Sequence, residues 1–360
     1  MASFPRMPSP PATFPHSDPP FERYPMRNMF LSTREASDLI ASGVVLLAAG
    51  SAQALAALPR GKWIGGSTPY FMTAEGGRLD HDKVFCTVLD NAVDVRCAVA
   101  GESELPSLLS DRFGNGFSYL LIPAFSAVHQ RFAVDAHGLP GLYDQPLIGW
   151  VTGIDLGDLG KVKPIVVNGM TGETLEDKAV VMHVALKPDI FAEADIVNLF
   201  TQGDGPDLVF PTTGFSASTC VVDGAERNFA EWLRETGAGT ELPLVANYNG
   251  AMINVAFQGV HENKVDFYAP VVAGRIYRLA ASVGDYPSAY GTYCNSLHDA
   301  GGATALSCNC ILNYLYASLE GRTTGSFTGP VTFGEIAYIL LNQTLVRLDL
   351  LSGNLAAAAD

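Results

Sequence analysis

Positive charge is scarce in this chain: 22 Lys and Arg stand against 37 Asp and Glu, a net charge of −15 over 360 residues. That excess repels phosphate backbones and anionic lipid at long range, and no Lys/Arg cluster makes a local exception, so a nucleic-acid partner is excluded. Charge of either sign is low, at 16%, while hydrophobic residues reach 48%, which excludes a disordered or coiled-coil chain. Paired cysteines are missing too. Cys86, Cys97, Cys220, Cys294, Cys308 and Cys310 form no C-x-x-C, which fits reduced thiols and a cytoplasmic location. Enzyme signatures are equally absent: there is no P-loop and no H-E-x-x-H. GFSAS (214–218) lacks the closing glycine of a nucleophile elbow, so Ser216 reads as a strand-end polar residue, and GNGFSY (114–119) lacks the third glycine of a dinucleotide loop. These absences favour binding over catalysis.

An unbroken membrane span is lacking as well. LIASGVVLLAAGSAQALAALP (39–59) is uncharged and long enough to cross a bilayer, but Gly43, Gly50, Ser51, Gln53 and Pro59 divide it into helix end, strand, cap and short helix. The N-terminus holds eight prolines within residues 1–25 and no apolar run of the signal-peptide kind, so it reads as an extended arm, suited to docking or to strapping two copies together.

What is present is a repeated order of elements. STREASDLIASG offers a capping box, Ser32 with Glu35, and a stop at Gly43. The strand VVLLAA (44–49) follows, then a short helix, a corner at Gly65, Gly66, Ser67 and Thr68, and the strand VFCTVL (84–89). From Phe117 the order recurs as FSYLLIP, helical AFSAVHQRFA, a corner at Gly149 and Trp150, and AVVMHVAL (179–186). Beyond residue 205 short alternating strands dominate. They are interrupted by a helix signalled by Asp223 and Glu226, with Phe229, Trp232 and Leu233 on one face and Gly237 as cap, and by a second at ILNYLYASLEG (311–321). The expected fold is α+β: two mixed halves, with an internal duplication in the N-terminal one and a largely antiparallel sheet with few helices in the C-terminal one. The expected organisation is an arm (1–28), a first half (29–204) built of units 29–100 and 112–190, a second half (205–352) and a tail (353–360).

The order VVDGAERNFAEWLRETG, AGRIYRLA, TALSCNC, PVTFGEIA and LLNQTLVRLDL resembles the C-terminal half of the FIST sensor family, and the strand, helix and WIGGST order resembles its N-terminal half. The resemblance implies a sensory module that binds a small molecule such as an amino acid, or haem in a nitric-oxide sensor, and that signals through a separate partner because no output domain is recognised. The chain departs from the family where an arginine usually follows the end-of-strand cysteine, since Asn309, Cys310 and Ile311 follow Cys308.

Among individual residues, the DHD at 80–82 reads as a turn before a metal site, and His183 as a core imidazole before a haem ligand. Cys308 and Cys310 share a face if their segment is extended, as buried thiols or as pocket-lining ones, with Cys308 the nucleophile of a thiol enzyme if there is one. Glu335 sits in an apolar run beside Gly334, ahead of Asn342, Gln343 and Thr344. It can be a rim residue in water, a buried acceptor, or the group that meets a ligand's amine. The expected binding site is a cleft between the halves bordered by Glu335, Cys308, Cys310 and the two glycine corners.

Overall fold

The computed structural model describes residues 21–248, 250–298 and 305–353. Residues 1–20 of the expected arm and residues 354–360 of the expected tail lie outside them.

The protein is a mixed α/β structure rich in strands and poor in helices. Two six-stranded sheets come largely from the first 200 residues. One has the order 173–175, 166–168, 63–67, 46–50, 83–88, 27–32; the other has the order 339–341, 334–337, 147–152, 116–123, 179–186, 92–100. Each holds one parallel pair joined by a helix, Leu46–Gly50 with Trp63–Ser67 through Ala52–Ala56, and Gly116–Pro123 with Leu147–Thr152 through Ala127–Asp135. All the residues of these four strands are buried, as strands covered on both faces must be.

The capping box at Ser32 forms as its spacing demands: the Ser32 hydroxyl accepts from the Glu35 N–H at 3.3 Å and the Glu35 carboxylate accepts from the Ser32 N–H at 2.9 Å, opening the helix Thr33–Ala41. Among the described residues no helix is long and apolar enough to cross a membrane, and the 39–59 segment divides into helix end, strand and short helix as its punctuation requires.

A seven-stranded sheet draws on the whole chain, in the order 21–24, 345–353, 306–310, 329–332, 70–73, 76–79, with Ile190–Val197 also paired to Leu345–Gly353. Phe21–Tyr24 and Arg27–Asn28 of the expected arm therefore belong to sheet strands, paired with Leu345–Gly353 and Lys83–Val88, and Tyr24 and Met26 pack into the main core. One core cluster takes in Leu47 and Ile64 of the first sheet, Leu121 and Trp150 of the second, and Leu306 and Val346 of the third. The sheets thus cross the expected boundary at residue 205.

The remaining strands form a six-stranded antiparallel sheet (225–228, 219–222, 208–209, 276–279, 244–248, 251–255) and a three-stranded one (214–217, 265–271, 257–260). Their core is Phe210, Phe229, Trp232 and Phe267. The helix there is Phe229–Thr236, with the expected apolar face and Gly237 left-handed at φ 64°, but its cap is Asn228, whose side chain accepts from the Glu231 N–H at 3.0 Å. Asp223 instead lies in the tight turn between Thr219–Val222 and Ala225–Asn228, at φ 46°. A further helix, Tyr286–His298, lies where the sequence suggested only sheet, and the helix at 311 stops at Tyr316.

Candidate functional site

The residues expected to border the cleft do meet, but in solid contact. Gly65 and Gly66 lie in mid-strand, and a Cβ on Gly66 would come within 2.6 Å of both Trp150 and Thr152 across the gap between sheets. Here glycine permits two sheets to touch, the structural alternative to a ligand loop. Ser67 spends its hydroxyl on Gly153, donating to the carbonyl at 2.8 Å, and accepts from the Ile165 N–H at 2.9 Å; Thr68 donates to the Val331 carbonyl at 2.6 Å. Gly149 passes so close to Leu120 that no side chain fits, and the Trp150 indole donates to the Tyr119 hydroxyl at 2.9 Å. Cys308 turns into the same seam and donates to the Gly149 carbonyl at 3.5 Å. The space left among Ala48, Trp150, Leu306 and Pro330 is about 10 Å³, no more than a water's worth.

Glu335 is fully buried, which removes the rim reading. Its strand pairs with Trp150 on one side and Leu341 on the other. The carboxyl accepts from the Thr344 hydroxyl at 2.8 Å, the Thr344 N–H at 3.3 Å and the Thr332 hydroxyl at 3.1 Å, and the Cys310 thiol is a further hydrogen-bond neighbour. Burial pushes its pKa up to about 8 against the pull of those donors. The polar triplet that follows is buried with it. Asn342 accepts from the Ala256 N–H at 2.8 Å, Gln343 donates to the Glu241 carbonyl at 2.8 Å, and Thr344 holds Glu335. A run that reads as an interrupted strand is a hydrogen-bonded clamp between the last strands and the 240–256 hairpin.

The open cavity lies one layer away, between the second sheet and the C-terminal strands, and measures about 440 Å³. The loop and helix start at 124–130 form one wall, Phe215, Gln258, Phe267 and Tyr268 another, and Cys310 with Ile311, Leu312 and Leu315 a third; Leu156, Leu159, Phe333 and Asn342 complete the lining. None of these side chains is a Lys, Arg, Asp or Glu. Phe125, Leu159, Tyr268 and Leu315 are exposed despite being apolar or aromatic. Phe125 is held at φ 64°, a left-handed backbone rare for a bulky residue, with its ring edge-on to Phe333 at 6.1 Å. His129, from Ala127–Asp135, is nine-tenths buried, stands edge-on to Phe215, and leaves its Nε2 without a partner; burial pushes it down to about 4, so the ring is neutral.

Of the nine residues expected at the site, Cys310 alone lines this cavity, with Glu335 directly behind it. Gly66, Ser67, Thr68, Gly149, Trp150 and Cys308 belong to the closed seam, while Gly65 faces Trp63 and Leu55 on the other side of its strand. Sequence reasoning missed His129 and the aromatic walls, and the one signal on offer was the pairing of Phe125 and His129 in AFSAVHQ after a strand. His183, the haem-ligand candidate, sits 1% exposed in its strand with Nδ1 2.8 Å from the Ser118 hydroxyl, and burial pushes it down to about 4, which suits a core imidazole. In the DHD segment, Asp80 accepts from the N–H groups of Asp82 and Lys83, both at 2.9 Å, as a turn residue does. No group of three or more His, Cys, Asp or Glu able to hold a metal occurs among the described residues.

The chain belongs to a protein family described as a family of unknown function (DUF6976), whose model matches residues 31–351. A search of curated proteins gave no match.

Proposed function

Since family membership assigns no activity, we propose from the geometry that the protein binds a small, uncharged, largely apolar molecule in the cavity walled by Phe125, Phe215, Phe333 and Leu312. The observation that carries this reading is the composition of that wall. It is apolar and aromatic, with a few polar groups at His129, Gln258, Tyr268 and Asn342 and no ionised side chain. Its volume falls in the range of small-molecule sites. The amino-acid ligand suggested by the FIST resemblance suits it less well, because a zwitterion would arrive without an ionic partner for either end. The sensory role expected from that resemblance belongs to the same proposal, with occupancy of the cavity as the signal and a separate protein to read it.

The common strand order of the two six-stranded sheets supports a further element of the proposal, that they are related copies of one unit. In each, a parallel pair is followed by an antiparallel strand and then an edge strand, and a hairpin from elsewhere closes the other side. The cavity is then a feature of the second copy and its added C-terminal strands.

Nile red, an uncharged fluorophore, tests the reading. Binding should be saturable with the wild type, and Leu315→Trp, a change at the exposed mouth, should weaken it about tenfold, roughly 1.4 kcal/mol, without altering the melting temperature. Unsaturable fluorescence, or equal affinity in the variant, overturns it.

A further inference from the structure

We propose that the hollow beside Arg275 and Arg278 binds a small organic monocarboxylate whose apolar body lies over Ile276. The hollow measures about 600 Å³ and is bordered, besides those residues, by Gln202, Asp207, Asn247 and the turn at 272–274. It shares no lining residue with the aromatic cavity, so the inference stands apart from the binding reading above.

Arg275 immediately precedes the strand Ile276–Leu279, and Arg278 lies within it. The two arginines differ in what they hold. Arg278 donates from Nε to the Asp207 carboxylate at 2.7 Å, so those two charges offset each other. Arg275 makes no ion pair among the described residues. Its guanidinium lies over the Tyr248 ring instead, 3.7 Å from the centroid, and that ring stacks in turn on His137 at 5.7 Å with the planes 9° apart. A ring face holds a guanidinium in place without neutralising it. The backbone is tied down as well, since the Gly274 N–H donates to the Phe210 carbonyl at 3.0 Å and the Arg275 N–H to the Val272 carbonyl at 3.2 Å.

These features set the ligand class. A planar fork that is charged, pre-positioned and without a carboxylate of its own matches a ligand carboxylate, which it can meet with two parallel N–H···O bonds. One uncompensated positive charge calls for one negative charge, and a dianion would bring its second charge towards Asp207. Ile276, 51% exposed, and Val272 offer apolar surface beside the fork, so the carboxylate carries a hydrocarbon or aromatic body. The net charge of −15 repels anions at a distance, but at physiological salt that field is screened beyond about 8 Å and the local fork decides.

Phenylglyoxal, which modifies accessible guanidinium groups, tests this in the folded wild type, with peptide mass spectrometry reading each arginine. Benzoate, the probe carboxylate, should slow modification of Arg275 at least about fivefold and leave the exposed Arg131 unchanged. Benzamide, similar in shape but uncharged, should give no protection, and inorganic phosphate should need at least about tenfold more to protect equally. A fluorine NMR titration with 4-fluorobenzoate gives a second reading. Arg275→Gln should weaken binding about tenfold, and Arg275→Lys should recover only part of that loss, because an ammonium keeps the charge but not the fork. The inference is overturned if benzoate does not protect, if benzamide protects as well, or if Arg275 is inert to phenylglyoxal without ligand. Equal protection by phosphate would mean an adventitious anion only, and overturns the carboxylate assignment. Nile red binding is read separately, so the two readings fail independently.

Discussion

Glu335 carries the clearest consequence at the scale of one residue. An ordinary carboxyl titrates near 4.3, whereas this one is held up to about 8 by burial. Between those values the unfolded chain is ionised and the folded one keeps its proton, so stability falls as pH rises, by up to about 1.4 kcal/mol per unit, and levels off above pH 8. His129 and His183 act with the opposite sign. Each is pushed down to about 4, so stability is lost as pH falls from about 6.5 towards 4. Glu335→Gln should match the wild type near pH 4 and exceed it increasingly up to pH 8, as urea denaturation at a series of pH values will show. Parallel profiles would mean that the carboxyl is ionised in the fold. The sequence made Glu335 stand out because a charge in an apolar run needs a partner. What it hid is that the partners are Thr332, at the end of the preceding strand, and Thr344, in the bend that leads into the last strand. The glycine corners misled for a related reason: adjacent glycines announce close approach, and only the partner's identity, Trp150 against Gly66, distinguishes a packed sheet from a ligand.

Single elements were legible where local chemistry dominates. The helix beginning at Thr33 follows from its capping box, and the apolar face of Phe229–Thr236 follows from its spacing. Its start did not, because two candidate capping pairs three residues apart compete: Asp223 with Glu226 and Asn228 with Glu231. The hairpin takes the first, since Asp223 tolerates the left-handed turn, and leaves Asn228 to cap the helix. Asn228→Ala should therefore cost about 1 kcal/mol in a denaturation experiment, and Asp223→Gly close to nothing. Equal losses would restore the upstream start. The helix Tyr286–His298 escaped notice because YPSAYGTYCNSLH holds Pro287, Gly291, three tyrosines and several small polar residues that favour no helix by themselves. Its place is fixed from outside, by buried Tyr290 donating to Asn309 at 2.9 Å and Tyr286 donating to Asn313 at 2.7 Å.

Across the whole molecule, the mixed α/β character was legible and the partition was not. Strand patterns reveal which faces are apolar but carry no label for the distant strand that completes a ladder. Here the strands at 334–341 and 345–353 close sheets begun in the first 200 residues. Residues 29–204 produced alone would leave Leu147–Thr152 and Ile190–Val197 without those neighbours. That fragment should show no cooperative urea transition, while the full chain should unfold in one. A sharp transition in the fragment would establish the first half as self-sufficient.

Leu345–Gly353 lies between Phe21–Tyr24, Ile190–Val197 and Leu306–Cys310, touching strands from the start, middle and end of the described chain. On the ribosome this keystone emerges after everything it must join. At synthesis rates of about 5–20 residues per second, the edges of Ile190–Val197 wait many seconds unsheathed. Phe21–Tyr24 waits longer still, so chaperones that shield bare strand edges on nascent chains would find two places to engage this protein.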